Sequence, residues 1–219
     1  MISLLTNNPP QYFAIIIIVT FSICMHELSH AYMAVWQGDD TPAENGHLTL
    51  NPMVQMGPTS LIVLAIVGIS WGAVPVNPLR MRHKWSHALV AFAGPLMNLI
   101  LAILFCAIAI IVIYNTGMIP THWTNQRNMF GPQDFFFWGA TMNMVLFLFN
   151  LTPAPPLDGY TVASFLFPQM NRMNQELKNG LLVGLLILVF FSAGLLFQFA
   201  GSIIDTIIIT ILKIVGFSS

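Results

Sequence analysis

Charge is scarce in this chain: Asp, Glu, Lys and Arg make up 7% of its 219 residues, and the formal net charge is −1. So few charges cannot solvate the surface of a water-soluble domain, and they leave no basic stripe for nucleic acid and no strong field for an acidic partner. Cysteine is nearly absent. Cys24 and Cys106 both lie in apolar runs, which excludes a cysteine metal centre and reads as small core residues, not a disulfide. No Lys or Arg precedes the first apolar run, and that run is too long for a cleaved signal peptide, so it reads as a retained helix. Long polar stretches are missing as well. The longest, 37–59 and 160–180, hold about twenty residues each, too few for an independent core. There is no internal repeat and no low-complexity tract. What remains is 56% hydrophobic, with a mean hydropathy of +0.76, the composition of an integral membrane protein.

Four apolar segments are long enough to cross a bilayer: Tyr12–Trp36, Ala88–Tyr114, Phe135–Leu151 and Leu181–Ala200. At a rise of ~1.5 Å per residue, the first reaches about 37 Å as a helix. Ser202–Phe217, hinged at Gly201, is a candidate fifth. Ser60–Val74 is bounded by Gly57-Pro58 and by Gly72 and Pro75, and its length suits a re-entrant hairpin better than a full crossing. The expected fold is an all-α polytopic membrane protein. It has about five to six transmembrane helices, with a re-entrant hairpin or a short β element after the first. One domain covers 1–219, with a core at about 12–167 and C-terminal helices at about 181–217. In the β alternative, Gly46–Pro52 and Ala73–Pro78 form a strand edge, because Leu48, Leu50, Val74 and Val76 alternate. Pro52 and Pro75 limit its length, and a loop plugging the bilayer face fits the same residues.

Inside the first span lies His26-Glu27-Leu28-Ser29-His30. Residues i and i+4 share a helix face, so both imidazoles can reach one metal ion, with Glu27 beside it to accept a proton from a bound water. Polar residues of this kind are costly at bilayer depth and mark function. Zinc needs three protein ligands to leave one position for water. His83 and His87 lie beside a basic loop and His122 in the loop on the opposite side, where surface roles are expected; His47 is the remaining histidine outside the motif. Asp39, Asp40 and Glu44 read as a solvated acidic turn. Asp158 follows an apolar segment in Asn150-Leu-Thr-Pro-Ala-Pro-Pro-Leu-Asp158-Gly159, where the prolines prevent a regular helix. Irregular backbone at membrane depth lines a wet cavity or is buried in protein, which fits an acid that binds metal. An Asp capping the next helix fits the same residue. Asn98 and Asn143, polar residues in apolar helices, read first as packing and second as lining a water path.

HELSH in the first apolar helix and Asn150-Leu-Thr-Pro-Ala-Pro-Pro-Leu-Asp158-Gly159 after a later one resemble the two halves of the site-2 protease family of intramembrane zinc metalloproteases. Gly46-His-Leu-Thr-Leu-Asn-Pro52, Ala73-Val-Pro-Val-Asn-Pro78 and Ala93-Gly-Pro-Leu-Met-Asn98 are similar to stretches of its compact prokaryotic members. The resemblance covers roughly residues 12–167. It implies one Zn2+ held by His26, His30 and Asp158, Glu27 as general base, and Asn150 as hydrogen-bond donor to the substrate backbone or the developing oxyanion. It also implies a transmembrane protein as substrate, entering sideways from the lipid bilayer and locally unwound. Neither a PDZ insertion nor a nucleotide-sensing domain of that family is evident, so substrate selection rests on the membrane domain or on a regulatory membrane partner.

Five of the seven Lys and Arg residues fall in two loops: Arg80, Arg82 and Lys84, then Arg172 and Lys178. These loops are expected to face the cytoplasm of a prokaryotic cell, with the active site toward that side. His26 is ten residues before Trp36, about 15 Å from the inner end of the first helix. The reading from another functional class is a metal-ion transporter or sensor that uses the same His/Asp site without hydrolysis. The outer half of the first helix, Tyr12 to Thr20, offers such a path almost no polar residues. A membrane protease of the prenyl-protein type takes a glutamate as third ligand, and Glu176, in the basic loop, is a poor candidate.

Overall fold

Prolines and short polar side chains set where the helices begin. The computed structural model describes residues 1–123 and 130–217. After the short α1 (Ile2–Asn7), α2 (Pro9–Trp36) starts with two prolines in its first turn, where a missing N–H costs nothing, and Asn8 caps it by accepting from the Gln11 N–H at 3.2 Å. Three short helices follow: α3 (Thr41–Glu44), α4 (Pro52–Gln55) and α5 (Gly57–Ile66). The 31-residue α6 (Ser86–Thr116) ends at Gly117 in the left-handed conformation. Then come α7 (Pro132–Asn150), α8 (Asp158–Leu166) and α9 (Gln175–Ile214), the last capped by the Asn174 side chain. Single 3-10 turns lie at Pro78–Arg80 and Pro168–Arg172.

The all-helical class is as expected, but the count of spans is not. Three segments are long and apolar enough to cross a membrane by length and composition: Pro9–Trp36, Ser86–Thr116 and Gly194–Ile214. The expected break at Gly201 does not occur, since α9 runs through it as one 40-residue helix. Glycine in a helix weakens but does not stop it, and Ala200 and Ile204 on either side are buried against α6 and α7. The segment read as Phe135–Leu151 forms α7, whose Gln133, Asp134, Thr141 and Asn143 are buried. Asp134 and Asn143 find partners inside the protein, while Thr141 Oγ1 and Gln133 Oε1 are buried without one among the described residues.

No strand forms among the described residues, so the β alternative is corrected. The physical reason is Gln55. Its side-chain amide donates to the carbonyls of His47 (2.9 Å) and Thr49 (2.6 Å), and its backbone carbonyl accepts from the Ala73 N–H (3.1 Å). The two stretches that were to pair are instead each tied to one residue of α4. After α5, Gly68 (φ 93°) turns the chain and it comes back: Ser60 Oγ donates to the Trp71 carbonyl at 2.7 Å and accepts from the Trp71 N–H at 2.9 Å. The ends of the 60–74 segment are thus brought together.

The acidic turn is not solvated at Asp39, which is fully buried. Burial alone would raise its carboxyl, but the hydroxyl and N–H of Thr41, the N–H of Asn77 and the nearby Arg80 outweigh burial and hold it below the usual carboxylate range. This carboxylate fastens the segment before Pro78 to the end of α2. Glu44 is exposed and pairs with Arg80 at 2.7 Å. The main core lies between α6, α7 and α9 around Ala109, Ile113, Ala140, Ile204 and Ile208, and a smaller one joins α2 to α5 through Ile23, Cys24 and Leu64. Cys24 and Cys106 are free and buried, as expected.

Candidate active site

Two helix stripes face each other. On α2, His26 and His30 are four residues apart; on α6, so are Val90, Gly94 and Asn98. His26 Nδ1 donates to Asn98 Oδ1 at 2.6 Å, and His30 Nδ1 donates to the Val90 carbonyl at 2.7 Å. Asn98 Oδ1 faces the ring because its amide nitrogen donates to Asn143 Oδ1 (3.1 Å), and Asn143 in turn donates to Ser22 Oγ (2.9 Å). One residue beyond Gly94, Pro95 has no N–H to offer the helix ladder. With both Nδ1 atoms protonated, both Nε2 atoms carry lone pairs, and these lie 3.0 Å apart. Asp158 Oδ2 lies 3.1 Å from one and 3.3 Å from the other.

Three lone-pair acceptors therefore converge with both ring protons turned away. Their separations match a tetrahedral ion with bonds of ~2.0–2.1 Å, which spaces its ligands about 3.3 Å apart. The space between them is kept clear by Gly94: a Cβ there would lie 2.5 Å from His26 Nε2 and overlap His30 Nε2. Two imidazoles and one carboxylate are a donor set suited to zinc with an open fourth position. Asp158 begins α8 without capping it, because the N-cap is Leu157. It reaches the histidines because Gly159 lets the start of α8 rest on the end of α7; a Cβ at Gly159 would overlap the Leu151 carbonyl.

Glu27 is buried and opens on a cavity of about 400 Å³ that His26, His30, Asp158 and Asn150 also line. The returning 70–74 segment forms another wall, packed so closely that a Cβ on Gly72 would lie 2.5 Å from Glu27 Cγ. Asn150 stands at the last turn of α7 on the same cavity.

The remaining histidines lie elsewhere. His47 is near Gln55 (3.4 Å), His83 stacks on Trp85, His87 lines a separate cavity, and His122 pairs with Asp205 at 3.0 Å. Sequence reasoning ranked Asn98 and Asn143 as packing, whereas the structure makes Asn98 the orienting partner of His26. The signal was its spacing from Gly94 and Val90, which puts all three on one face. Gly94 and Gly72 were read only as parts of a motif and a boundary, since the need for a missing Cβ is visible only in three dimensions.

The profile of peptidase family M50 matches residues 14–128 and 110–192. The YwhC protein of Bacillus subtilis (strain 168) is 39% identical over 183 residues, 81% of this chain and 80% of that protein. Rip2 of Mycolicibacterium smegmatis is 30% identical over 187 residues, covering 78% of this chain and 64% of its own length. Rip2 of Mycobacterium tuberculosis (strain H37Rv) is 31% identical over 200 residues, 84% of this chain and 70% of its own. All three carry provisional names as zinc metalloproteases. No solved structure matches. A profile that runs through both halves of the histidine–aspartate site, joined to relatives aligned over about four fifths of the chain, establishes that the chain belongs to peptidase family M50, the family of the site-2 proteases.

Proposed function

We propose that this chain is an intramembrane zinc metalloprotease that cuts peptide bonds within or near the transmembrane segments of membrane proteins. The observation that carries the reading is the meeting of His26 Nε2, His30 Nε2 and Asp158 Oδ2 within 3.0–3.3 Å, beside Glu27 in one cavity. These three residues would hold the zinc, which when bound supplies Lewis-acid polarisation and a water of lowered pKa. Glu27 accepts the proton of the attacking water and returns it to the leaving amine. Asn150, on the same cavity, donates from its amide to the carbonyl oxygen as charge develops there. The 70–74 backbone forms another wall of the cavity; both peptide groups of Trp71 and the Ala73 N–H are bonded within the protein, and those that remain are offered to a locally unwound substrate. The transport alternative gains nothing from the matched family, which is a peptidase family.

The rest of the reading concerns placement. We place the 60–74 segment in the bilayer as a re-entrant element, because its ends meet, and α7 as a further crossing whose polar residues face the bundle. The basic loops at Arg80–Lys84 and Arg172–Lys178 support a site that faces the cytoplasm, and the bacterial relatives support a prokaryotic cell membrane. The test is zinc content and cleavage of a reporter transmembrane peptide by purified protein. Glu27→Gln keeps the metal and loses turnover by three or more orders of magnitude (~10³-fold). Turnover by that variant at the wild-type rate refutes the assignment of the base, and wild-type protein without zinc refutes the whole reading.

A further inference from the structure

His26 and His30 present the same nitrogen to the ion site but reach that state by different routes. His30 Nδ1 donates directly to the Val90 carbonyl, a group that can only accept, so its ring has one choice. His26 Nδ1 faces the side-chain amide of Asn98, which has an acceptor at one end and a donor at the other. Turned end for end, that amide would offer N–H to Nδ1. The ring proton would then sit on Nε2, which would have no lone pair for a metal. What fixes the amide lies further from the site. Asn98 Nδ2 donates to Asn143 Oδ1 at 3.1 Å, and Asn143 Nδ2 donates both to Ser22 Oγ and to the Gly139 carbonyl, each at 2.9 Å. Ser22, Asn98 and Asn143 are all fully buried, so water does not compete for these bonds.

We infer that Asn143 is a positioning residue for His26, and that the Gly139 carbonyl sets the sense of the whole chain of hydrogen bonds. The other links are reversible. The Ser22 hydroxyl can donate or accept, and each amide can turn end for end. A reversed chain would be as complete except at its start. There Asn143 Oδ1 would face the Gly139 carbonyl, two acceptors about 2.9 Å apart with no proton between them. The Gly139 oxygen belongs to the α7 backbone and cannot turn. It draws Asn143 Nδ2 toward itself, which leaves Oδ1 for Asn98, Asn98 Oδ1 for His26, and the ring proton on Nδ1. Packing brings the chain together at the same residue. A Cβ at Gly139 would overlap the Phe105 ring, so α7 lies close against α6, and one turn later Asn143 meets Asn98. Both imidazoles are thus set by backbone oxygens, His30 at first hand and His26 through two amides. The inference rests on the zinc reading of the site, and it gives a role there to a residue of α7 that is not among those lining the cavity.

The experiment measures the zinc affinity of the detergent-solubilised full chain by competition with a chelator. Asn143→Leu removes both ends of the amide at similar size and frees Asn98 to turn, so affinity falls about tenfold or more. Adding Asn98→Asp to that variant restores most of the loss, because a carboxylate offers His26 an acceptor whichever way it turns. A loss that came only from poorer packing would not be repaired by a buried charge. Ser22→Ala keeps the affinity, since the Gly139 carbonyl still sets the sense. Thr141→Val, on the same helix with a buried unpaired hydroxyl, keeps it too. A second readout is the set of downfield imidazole N–H signals of the zinc-loaded chain labelled with 15N-histidine. One of them moves in Asn143→Leu and returns in the double variant, while that of His30 stays in place in both. Unchanged affinity in Asn143→Leu, or a loss that Asn98→Asp does not repair, overturns the inference and leaves the protease reading intact. So does a loss in Ser22→Ala, the milder variant, which would mean that the hydroxyl sets the sense. Wild-type protein that takes up no zinc overturns both.

Discussion

Gly94→Ala sets a local gain against a loss at the zinc site. Within a helix, glycine to alanine ordinarily stabilises by about 0.8–1 kcal/mol. At Gly94 the new methyl meets His26 Nε2 at 2.5 Å, where ordinary contact begins at 3.4 Å. Each ring must therefore retreat by about 1 Å, whereas metal–ligand distances tolerate about 0.2 Å. The rings cannot retreat freely, because Asn98 and Val90 hold their far nitrogens at 2.6 and 2.7 Å. Overpacking of this kind costs about 1–3 kcal/mol, partly offset by the helix gain, so the variant remains folded. Its zinc site does not survive: occupancy falls, and any residual cleavage drops at least ~100-fold, the usual result of a 1 Å misplacement. Elemental analysis and peptide cleavage on the purified variant are the assays. Gly184→Ala, in α9 with nothing within 4 Å of a new Cβ, is the control and keeps both. A full zinc complement with normal cleavage in Gly94→Ala would mean that the two stripes do not face each other as described.

Asn98→Ala removes the group that orients His26 and should weaken zinc affinity about 10–100-fold, measured by competition with a chelator; unchanged affinity would return Asn98 to a packing role. Asp39 has a depressed carboxyl, so its contribution to stability is complete above the ordinary carboxylate pKa and is lost as pH falls through its lower folded value. Asp39→Asn should therefore be less stable than wild type at neutral pH, and the difference should shrink as unfolding is followed below about pH 4. For topology, single cysteines at Asp40 and Lys84 in a background lacking Cys24 and Cys106 should react alike with an impermeant thiol reagent, in both cases only after cells are opened. Labelling of Asp40 alone from outside would show that the 60–74 segment crosses the bilayer.

Much of the site was legible because its first part is local. His26, Glu27 and His30 occupy one helix, and a period of 3.6 residues places both imidazoles on one face whatever the rest of the chain does. Membrane embedding follows from composition in the same way, since 7% charged residues cannot cover a soluble fold. The third acceptor was not local. Asp158 is 132 residues from His26, and the residues around it suited a helix cap equally well until Gly159 and the end of α7 were seen to direct it inward. The strand edge failed because Gln55 claimed the carbonyls that a partner strand would have used, a competition that alternation of apolar residues does not reveal. Likewise, a glycine at position 201 reads as a hinge in sequence, but packing of Ala200 and Ile204 kept the helix whole.

The sequence by itself thus determined the class, the helix that carries the motif and the kind of chemistry, because short-range periodicity and solvation decide these. Only the tertiary structure decided which nitrogen of each imidazole is left free. That depends on Asn98 and Val90 of another helix, and on a missing Cβ at Gly94 that leaves room for an ion between them.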